Sequence, residues 1–199
     1  MKVLFLTNND ITTTLSEWLE NDAKEEVLRF SEKITLSHIN TFCPDFVISY
    51  NYKYITGEDV IGLVSGRIIN LHISLLPWNK GADPNFWSFV ENTPKGVTIH
   101  RIVPEIDAGD ILLQKELTFN ERDETLKSSY DRLHNEIQKL FISNWNRIKN
   151  GQVPAKVQQG DGSFHYSRET SAIKTALGQE LWTEPINLLK QKLKDMSLI

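Results

Sequence analysis

Short apolar runs, each closed by turn formers and followed by a stretch of helical spacing, limit the folds open to this chain. The first run is Lys2–Thr7, which Asn8-Asn9-Asp10 stops at once; Leu15, Trp18 and Leu19 then recur three and four apart. Val27–Phe30 is a second run, with a weak helix expected over Leu36–Thr41. Phe46–Tyr50 is a third, entered through the turn signal Pro44-Asp45, and Thr56-Gly57-Glu58-Asp59 then opens a short helix through Leu63. Arg67–Leu71 is a fourth. Strands that alternate with helices predict an α/β fold, a mostly parallel sheet covered by helices on both faces. Such sheets bind ligands outside the carboxyl ends of their strands.

Asp83-Pro84 is a helix start, with Asp at the cap and Pro at the first helical position. Phe86, Trp87, Phe89 and Val90 would pack that helix down. Val97–Val103 and Ile111–Leu117 read as two more strands around a turn at Pro104–Asp110. From Asp123, Leu126, Tyr130, Leu133, Ile137, Leu140, Phe141 and Trp145 recur at three and four, a long amphipathic helix closing near Asn150-Gly151. Its simplest use is to cover the sheet; a homodimer contact at Phe141 and Trp145 is the alternative. A hairpin is expected over Val157–Tyr166, around Gly160-Asp161-Gly162, and a last helix over Leu181–Leu198, interrupted at Pro185. We therefore expect a core over 1–150 and a small hairpin-and-helix extension over 151–199.

The chemistry gathers at the fourth strand. Asn70-Leu71-His72 runs straight into Ile73-Ser74-Leu75-Leu76-Pro77. Asn70 and His72 are two apart, so an extended backbone points them to the same side. Further on come Gly96-Val97-Thr98-Ile99-His100 and Asp107-Ala108-Gly109-Asp110-Ile111. An amide can donate to a growing oxyanion, an imidazole exchanges protons near neutral pH, and a carboxylate orients or balances the imidazole. Together they suit an amine attacking an acyl carbon, with a tetrahedral intermediate to stabilise. Taken singly, each residue also reads as a satisfied structural group.

Composition narrows the partners. The 199 residues are 40% hydrophobic and 24% charged, enough to bury a core without staples. The formal charge of −4 argues against a polyphosphate partner, so no nucleic acid is expected. Cys43 is the single cysteine, which fits a reducing compartment. The opening apolar run is too short for a signal peptide, and no stretch approaches the roughly 20 apolar residues of a membrane span. A cytoplasmic protein without a membrane partner is the expectation. His38, His72, His100, His134 and His165 show no His-x-x-x-His spacing, so no metal is expected.

The string Asn70-Leu71-His72-Ile73-Ser74-Leu75-Leu76-Pro77, then Gly81, Gly96–His100 and Asp107-Ala108-Gly109-Asp110-Ile111-Leu112, resembles the motif stretch of the folate-dependent formyltransferase family. The resemblance is clear over about residues 45 to 118. It implies a Rossmann-like sheet, 10-formyltetrahydrofolate as formyl donor and a primary amine as acceptor. It also implies Asn70, His72 and Asp107 as catalytic residues: Asn70 donating to the carbonyl oxygen, His72 as general base or the oxyanion's charged partner, and Asp107 helping protons to the folate nitrogen. His100 and Ser74 would support them from behind. The pterin ring would sit against Tyr52-Lys53-Tyr54-Ile55, beside Asp107; the bland reading of that stretch is a surface loop with aromatic anchors.

The acceptor is read from the stretch that follows. Trp78-Asn79-Lys80-Gly81-Ala82-Asp83-Pro84-Asn85-Phe86-Trp87, with Ser49-Tyr50-Asn51-Tyr52 and Phe164-His165-Tyr166-Ser167-Arg168, is similar to the sugar N-formyltransferases. That similarity implies a nucleotide-linked amino dideoxy sugar, commonly dTDP-linked and destined for surface polysaccharide such as O-antigen. Trp78, Asn79, Lys80, Gly81 and Tyr52 would contact it. Glycinamide ribonucleotide and methionyl-tRNA formyltransferases, a non-catalytic folate or nucleotide-sugar binder, and a hydrolase releasing formate are the alternatives. The net acidic charge disfavours the tRNA substrate.

Overall fold

The structure, a computed structural model, describes residues 1–64 and 66–199. Its first half contains β1 (Lys2–Leu6), α1 (Thr13–Asn21), β2 (Glu26–Phe30), α2 (Leu36–Phe42), β3 (Phe46–Tyr50), α3 (Glu58–Leu63) and β4 (Ile68–His72). Then come β5 (Lys80–Gly81), α4 (Pro84–Val90), β6 (Lys95–Arg101), β7 (Ile111–Leu117) and α5 (Leu126–Lys149). The chain ends with β8 (Phe164–His165), α6 (Ser171–Leu177), α7 (Glu180–Thr183) and α8 (Ile186–Asp195). Six strands form one sheet in the order β2-β1-β3-β4-β6-β7, flanked by helices. β1 pairs in parallel with β2 and β3, and β3 with β4; β4 and β6 are antiparallel. The mostly parallel α/β sheet read from the sequence is therefore present.

The chain forms two compact units. The first comprises Met1–His72, Thr98–Leu113 and Ile137–Gln158; the second comprises Ile73–Val97, Gln114–Glu136 and Gln159–Ile199. In the first, β1 and β3 are buried along almost their whole length, as strands covered on both faces must be. β2, at the sheet edge, keeps Glu26 and Arg29 in solvent. Leu4, Leu6, Val47, Ile68, Ile39 and Val60 share one apolar cluster. On α5, Ile137, Phe141, Trp145 and Ile148 are buried at the expected spacing. Trp145 meets Phe46 edge-on at 5.3 Å and stacks on Phe141 at 5.1 Å. These two aromatics are thus spent on the core of the first unit. Each such ring contributes about 1.5–3 kcal/mol through burial.

The second unit closes around Phe86, Phe89, Leu126, Ile173, Leu181, Ile186, Leu189 and Leu193. Two expectations are corrected here. The hairpin at Gly160-Asp161-Gly162 does not form: Phe164–His165 pairs in parallel with Lys80–Gly81 instead. Gly162 serves close approach, since a Cβ there would lie 1.9 Å from the Pro77 carbonyl oxygen. Asp83 stands at the start of α4 but does not cap it; its φ is +52°, and its carboxylate accepts from Thr170 Oγ1 and Lys174 Nζ. The expected C-terminal helix with its interruption at Pro185 is present as α7 and α8, and α6 precedes them unforeseen. No helix among the described residues is long and apolar enough to cross a membrane.

Two buried groups set the response to acid. In the first unit the Glu25 carboxylate accepts from Lys149 Nζ at 2.6 Å, the N-terminal ammonium at 2.8 Å and the Trp145 indole at 3.0 Å. Burial works to raise its pKa, but these hydrogen bonds outweigh burial and hold it below the ordinary glutamate value. A carboxyl lowered by folding stabilises the fold above its unfolded pKa, and that contribution fades as pH falls through the folded value. In the second unit, burial pushes the His134 imidazole down to about 4 from 6.5. The unfolded chain takes that proton first, so stability drops across the same interval. Thermal melts are expected to fall from pH 6.5 to 4 and again below the carboxylate range. Glu25→Ala should cost about 2 kcal/mol at neutral pH, the scale of hydrogen bonds to a charged group, and less near pH 3. An equal loss at both pH values would contradict the assignment.

Candidate active site

β4 lies where the sheet changes from parallel to antiparallel pairing, with Asn70 opposite Ser49 on one side and His100 on the other. Asn70 and His72 share one side of the strand, as the two-residue period requires. Asp107 reaches them from the turn after β6. Asn70 Nδ2 donates to Asp107 Oδ1 at 3.1 Å, and His72 Nδ1 lies 3.7 Å from Asp107 Oδ2. The expected amide, imidazole and carboxylate are therefore gathered in the first unit, and the Asp107 side chain is only 10% exposed.

His100 belongs to the same cluster more directly than its sequence position suggested. Its Nε2 is 3.3 Å from both Asp107 Oδ1 and Asn70 Nδ2. Its Nδ1 faces the Arg101 carbonyl oxygen at 2.8 Å, an acceptor, so that nitrogen carries the hydrogen. Nε2 then offers a lone pair to the Asn70 amide, or, when protonated, a hydrogen to Asp107. His72 and His100 stand nearly perpendicular, with ring centroids 6.2 Å apart. A carboxylate, an amide and two imidazoles in a nearly water-free setting can store and pass a proton and still present a donor to a carbonyl oxygen.

The turn that carries Asp107 is built by backbone. Asp107 has φ +50°, a left-handed conformation that Asp tolerates better than most residues. A Cβ on Gly109 would fall 1.9 Å from the Arg101 carbonyl oxygen, so only glycine lets the turn fold back onto the end of β6. Arg101 N–H donates to the Asp110 carbonyl at 2.9 Å. Gln158 Nε2 donates to the carbonyls of both Asp107 (2.7 Å) and Gly109 (2.9 Å). Sequence reasoning missed Gln158; it lies far downstream, and no motif or period singles it out.

Tyr52, Lys53, Tyr54 and Ile55 also lie in the first unit, past the end of β3. The Tyr52 hydroxyl accepts from Ile34 N–H and donates to the Glu32 carbonyl, so Tyr52 anchors the loop. Tyr54 packs edge-on against Tyr52 at 5.4 Å, and Lys53 N–H donates to Asn8 Oδ1. Ile55 is 65% exposed. Among the described residues, the backbone N–H and C=O groups of Tyr54 and Ile55 take no hydrogen-bond partner. A loop with donors and acceptors left over beside aromatic rings fits the edge of a planar heterocycle such as a pterin.

Trp78, Asn79, Lys80 and Gly81 lie in the second unit. Trp78 is exposed, and Lys80 and Gly81 form β5. Asn79 is fully buried: its N–H donates to Ser163 Oγ at 2.9 Å and its Nδ2 to Thr93 Oγ1 at 2.8 Å. Its amide therefore fixes the loop from within. Ser74 is buried in this unit as well.

A formyl transferase family model matches residues 9–144, more than half of the chain. The chain belongs to the formyl transferase family. The formyltransferase PseJ from Anoxybacillus kamchatkensis, in complex with UDP-4,6-dideoxy-4-formamido-L-AltNAc and tetrahydrofolate, is similar at 39% identity and TM-score 0.85, over 94% of this chain and 96% of that one. A sugar N-formyltransferase from Shewanella shares the fold at 23% identity and TM-score 0.74, over 87% and 79%. A methionyl-tRNA formyltransferase from Sulfurihydrogenibium is 30% identical over 75% of this chain; the match spans 56% of that protein.

In a formyl transferase so arranged, Gly109 sets where the Asp107 carboxylate stands. Gly109→Ala is expected to lower kcat about 100-fold, the scale of an ångström-level misplacement, with the circular-dichroism spectrum unchanged. A fully active, folded alanine variant would show that the close approach to Arg101 does not govern Asp107.

Proposed function

We propose that this formyl transferase moves a formyl group from 10-formyltetrahydrofolate to the primary amine of a nucleotide-linked amino sugar. One observation carries the reading: the Asp107 carboxylate is held among Asn70, His72 and His100 in a chain 39% identical, nearly end to end, to an enzyme solved with tetrahydrofolate and a UDP-linked formamido sugar. The donor supplies an activated one-carbon carbonyl. Tyr54 and Ile55 would hold its ring edge through backbone, and Tyr52 would keep that loop in place. The Asn70 amide, whose hydrogens point at Asp107 and His100, would turn one of them to the carbonyl oxygen as negative charge grows there. His72 would take the proton released by the attacking amine. Asp107 would stabilise the resulting imidazolium and help return a proton to the leaving nitrogen. His100 would hold Asp107 and Asn70 in register as charge moves.

For the acceptor, Trp78, Lys80 and Gly81 would meet the sugar nucleotide, with Asn79 fixing their loop. The 39% relative supports a uridine nucleotide; thymidine is the other arm of the test. Purified enzyme is to be assayed with formyl donor and UDP- and dTDP-linked amino dideoxy sugars, glycinamide ribonucleotide and methionyl-tRNA. Transfer to a sugar nucleotide at a kcat/KM well above the other acceptors is expected. Preference for either of the others, or formate release at the same rate without acceptor, would overturn the reading.

His72→Ala and Asp107→Ala should each abolish most turnover while folate affinity, read by calorimetry, stays near wild type. Asn70→Ala should lose about 10²-fold or more, as for removal of one oxyanion donor. Near wild-type turnover in any of the three would remove that residue from its role.

A further inference from the structure

The chain that leaves α5 comes back to the turn of Asp107. Val153 is buried, and Lys156 then meets Ile111 in an antiparallel bridge. Ile111 N–H donates to the Lys156 carbonyl at 2.8 Å and Lys156 N–H to the Ile111 carbonyl at 2.9 Å. Continued by two residues, that register sets Gln158 opposite Gly109, just before β7. Backbone pairing therefore delivers residue 158 to the turn, and its side chain has only to reach across.

There the amide meets two carbonyl oxygens, and only its NH2 edge suits them. Nε2 donates to Asp107 at 2.7 Å and to Gly109 at 2.9 Å. Turned over, the amide would set Oε1 against both oxygens. In the observed orientation Oε1 is buried, and no donor among the described residues reaches it. An unpaired buried acceptor costs stability. The side chain thus gives the fold less than its two hydrogen bonds alone would.

What it does hold is a direction. The Asp107 carbonyl is aimed by the ψ torsion of Asp107, which adjoins the Cα bearing the carboxylate. With φ at +50°, Asp107 sits in a left-handed conformation that a residue with a side chain keeps only when its surroundings impose it. Within the turn, Ala108 N–H reaches the Glu105 carbonyl only at 3.3 Å. One side chain from outside therefore clamps the peptide groups on both sides of Ala108. We infer that Gln158 is a positioning residue for formyl transfer: by holding the Asp107 and Gly109 carbonyls it fixes how the Asp107 carboxylate faces Asn70, His72 and His100. Gly109 permits the path of the turn, and Gln158 selects the conformation along it. The inference rests on the catalytic reading of Asp107 proposed above.

The test uses the full chain. Gln158→Met keeps the reach of the side chain and removes its donors. It is expected to retain the circular-dichroism spectrum and the folate affinity of wild type, with kcat about tenfold to 100-fold lower, up to the scale of an ångström-level misplacement. In enzyme labelled with nitrogen-15, the ring signals of His72 and His100 should shift while those of His38 and His134 stay in place. Gln158→Glu has the same shape but sets a carboxylate against two carbonyl oxygens. Its kcat should fall further at neutral pH, and its ratio to wild type should recover in acid, where the carboxyl gains a hydrogen to donate. Gln159→Met should match wild type throughout. A folded Gln158→Met enzyme with wild-type kcat overturns the inference, and so do unshifted His72 and His100 signals. Should the methionine variant fail to fold, a glutamate variant whose ratio to wild type is flat across pH overturns it equally. If Asp107→Ala keeps full turnover while Gln158→Met still moves the two histidine signals, the catalytic reading fails and the positioning stands. If turnover needs Asp107 but those signals do not move, only the positioning fails.

Discussion

Asp107 could not reach Asn70, His72 and His100 from an ordinary turn. Its left-handed backbone aims the carboxylate back along β6, and that path exists only because Gly109 lets the chain press on the Arg101 carbonyl. A charge this sheltered is costly unless its oxygens are satisfied. Here one oxygen takes the Asn70 amide and lies against His100, and the other looks toward His72. Gln158 completes the arrangement by bridging the carbonyls of Asp107 and Gly109 with both of its amide hydrogens. The rest of the site follows from this placement: with the carboxylate moved by an ångström, the amide loses its orientation and the imidazole its counter-charge together.

β4 supplies the other half of the constraint. Its register against β6 sets Asn70 opposite His100 and His72 opposite Thr98. A slip of one residue would turn Asn70 and His72 to the other face of the sheet and bring Leu71 round in their place. Burial of Ile68, Ile69 and Leu71 forbids that slip, so the apolar residues of the strand fix the direction of its polar ones. Core packing and the placement of the polar cluster are here one requirement.

The parts of this design that were legible in sequence are those with local periodicity. Asn70 and His72 share a side because strands have a period of two, and α5 was visible from Leu126 to Trp145 because its apolar stripe is long. Asp107 entered through its motif. His100 entered through the resemblance, as support from behind; its direct contact with Asp107 and Asn70 arises from antiparallel pairing across thirty residues, which no local pattern encodes. Gln158 was hidden more deeply: it acts on carbonyl oxygens, which every residue has. The glycines misled for a related reason. Gly160-Asp161-Gly162 has the composition of a hairpin turn, but Gly162 is needed for its lack of a Cβ beside Pro77, and the strand that follows pairs elsewhere. Asp83 likewise has the residue type of a cap, yet Thr170 and Lys174 compete successfully for its carboxylate.

The same device, backbone contact used to aim side chains, recurs in the second unit with a different result. There Asn79 and Ser163 tie two loops together from inside, and Gly81 and Gly162 let their backbones touch. What is aimed outward is aromatic and cationic, in contrast to the buried amide, imidazoles and carboxylate of the first unit. Substitutions at Phe164, Tyr166 or Arg168 leave every group around Asp107 in place, since none of them contributes to that hydrogen-bond network. Exposed side chains on a fixed loop pair can vary at little cost to the fold, whereas the buried carboxylate of the first unit tolerates no such change, because each of its oxygens depends on a placed partner.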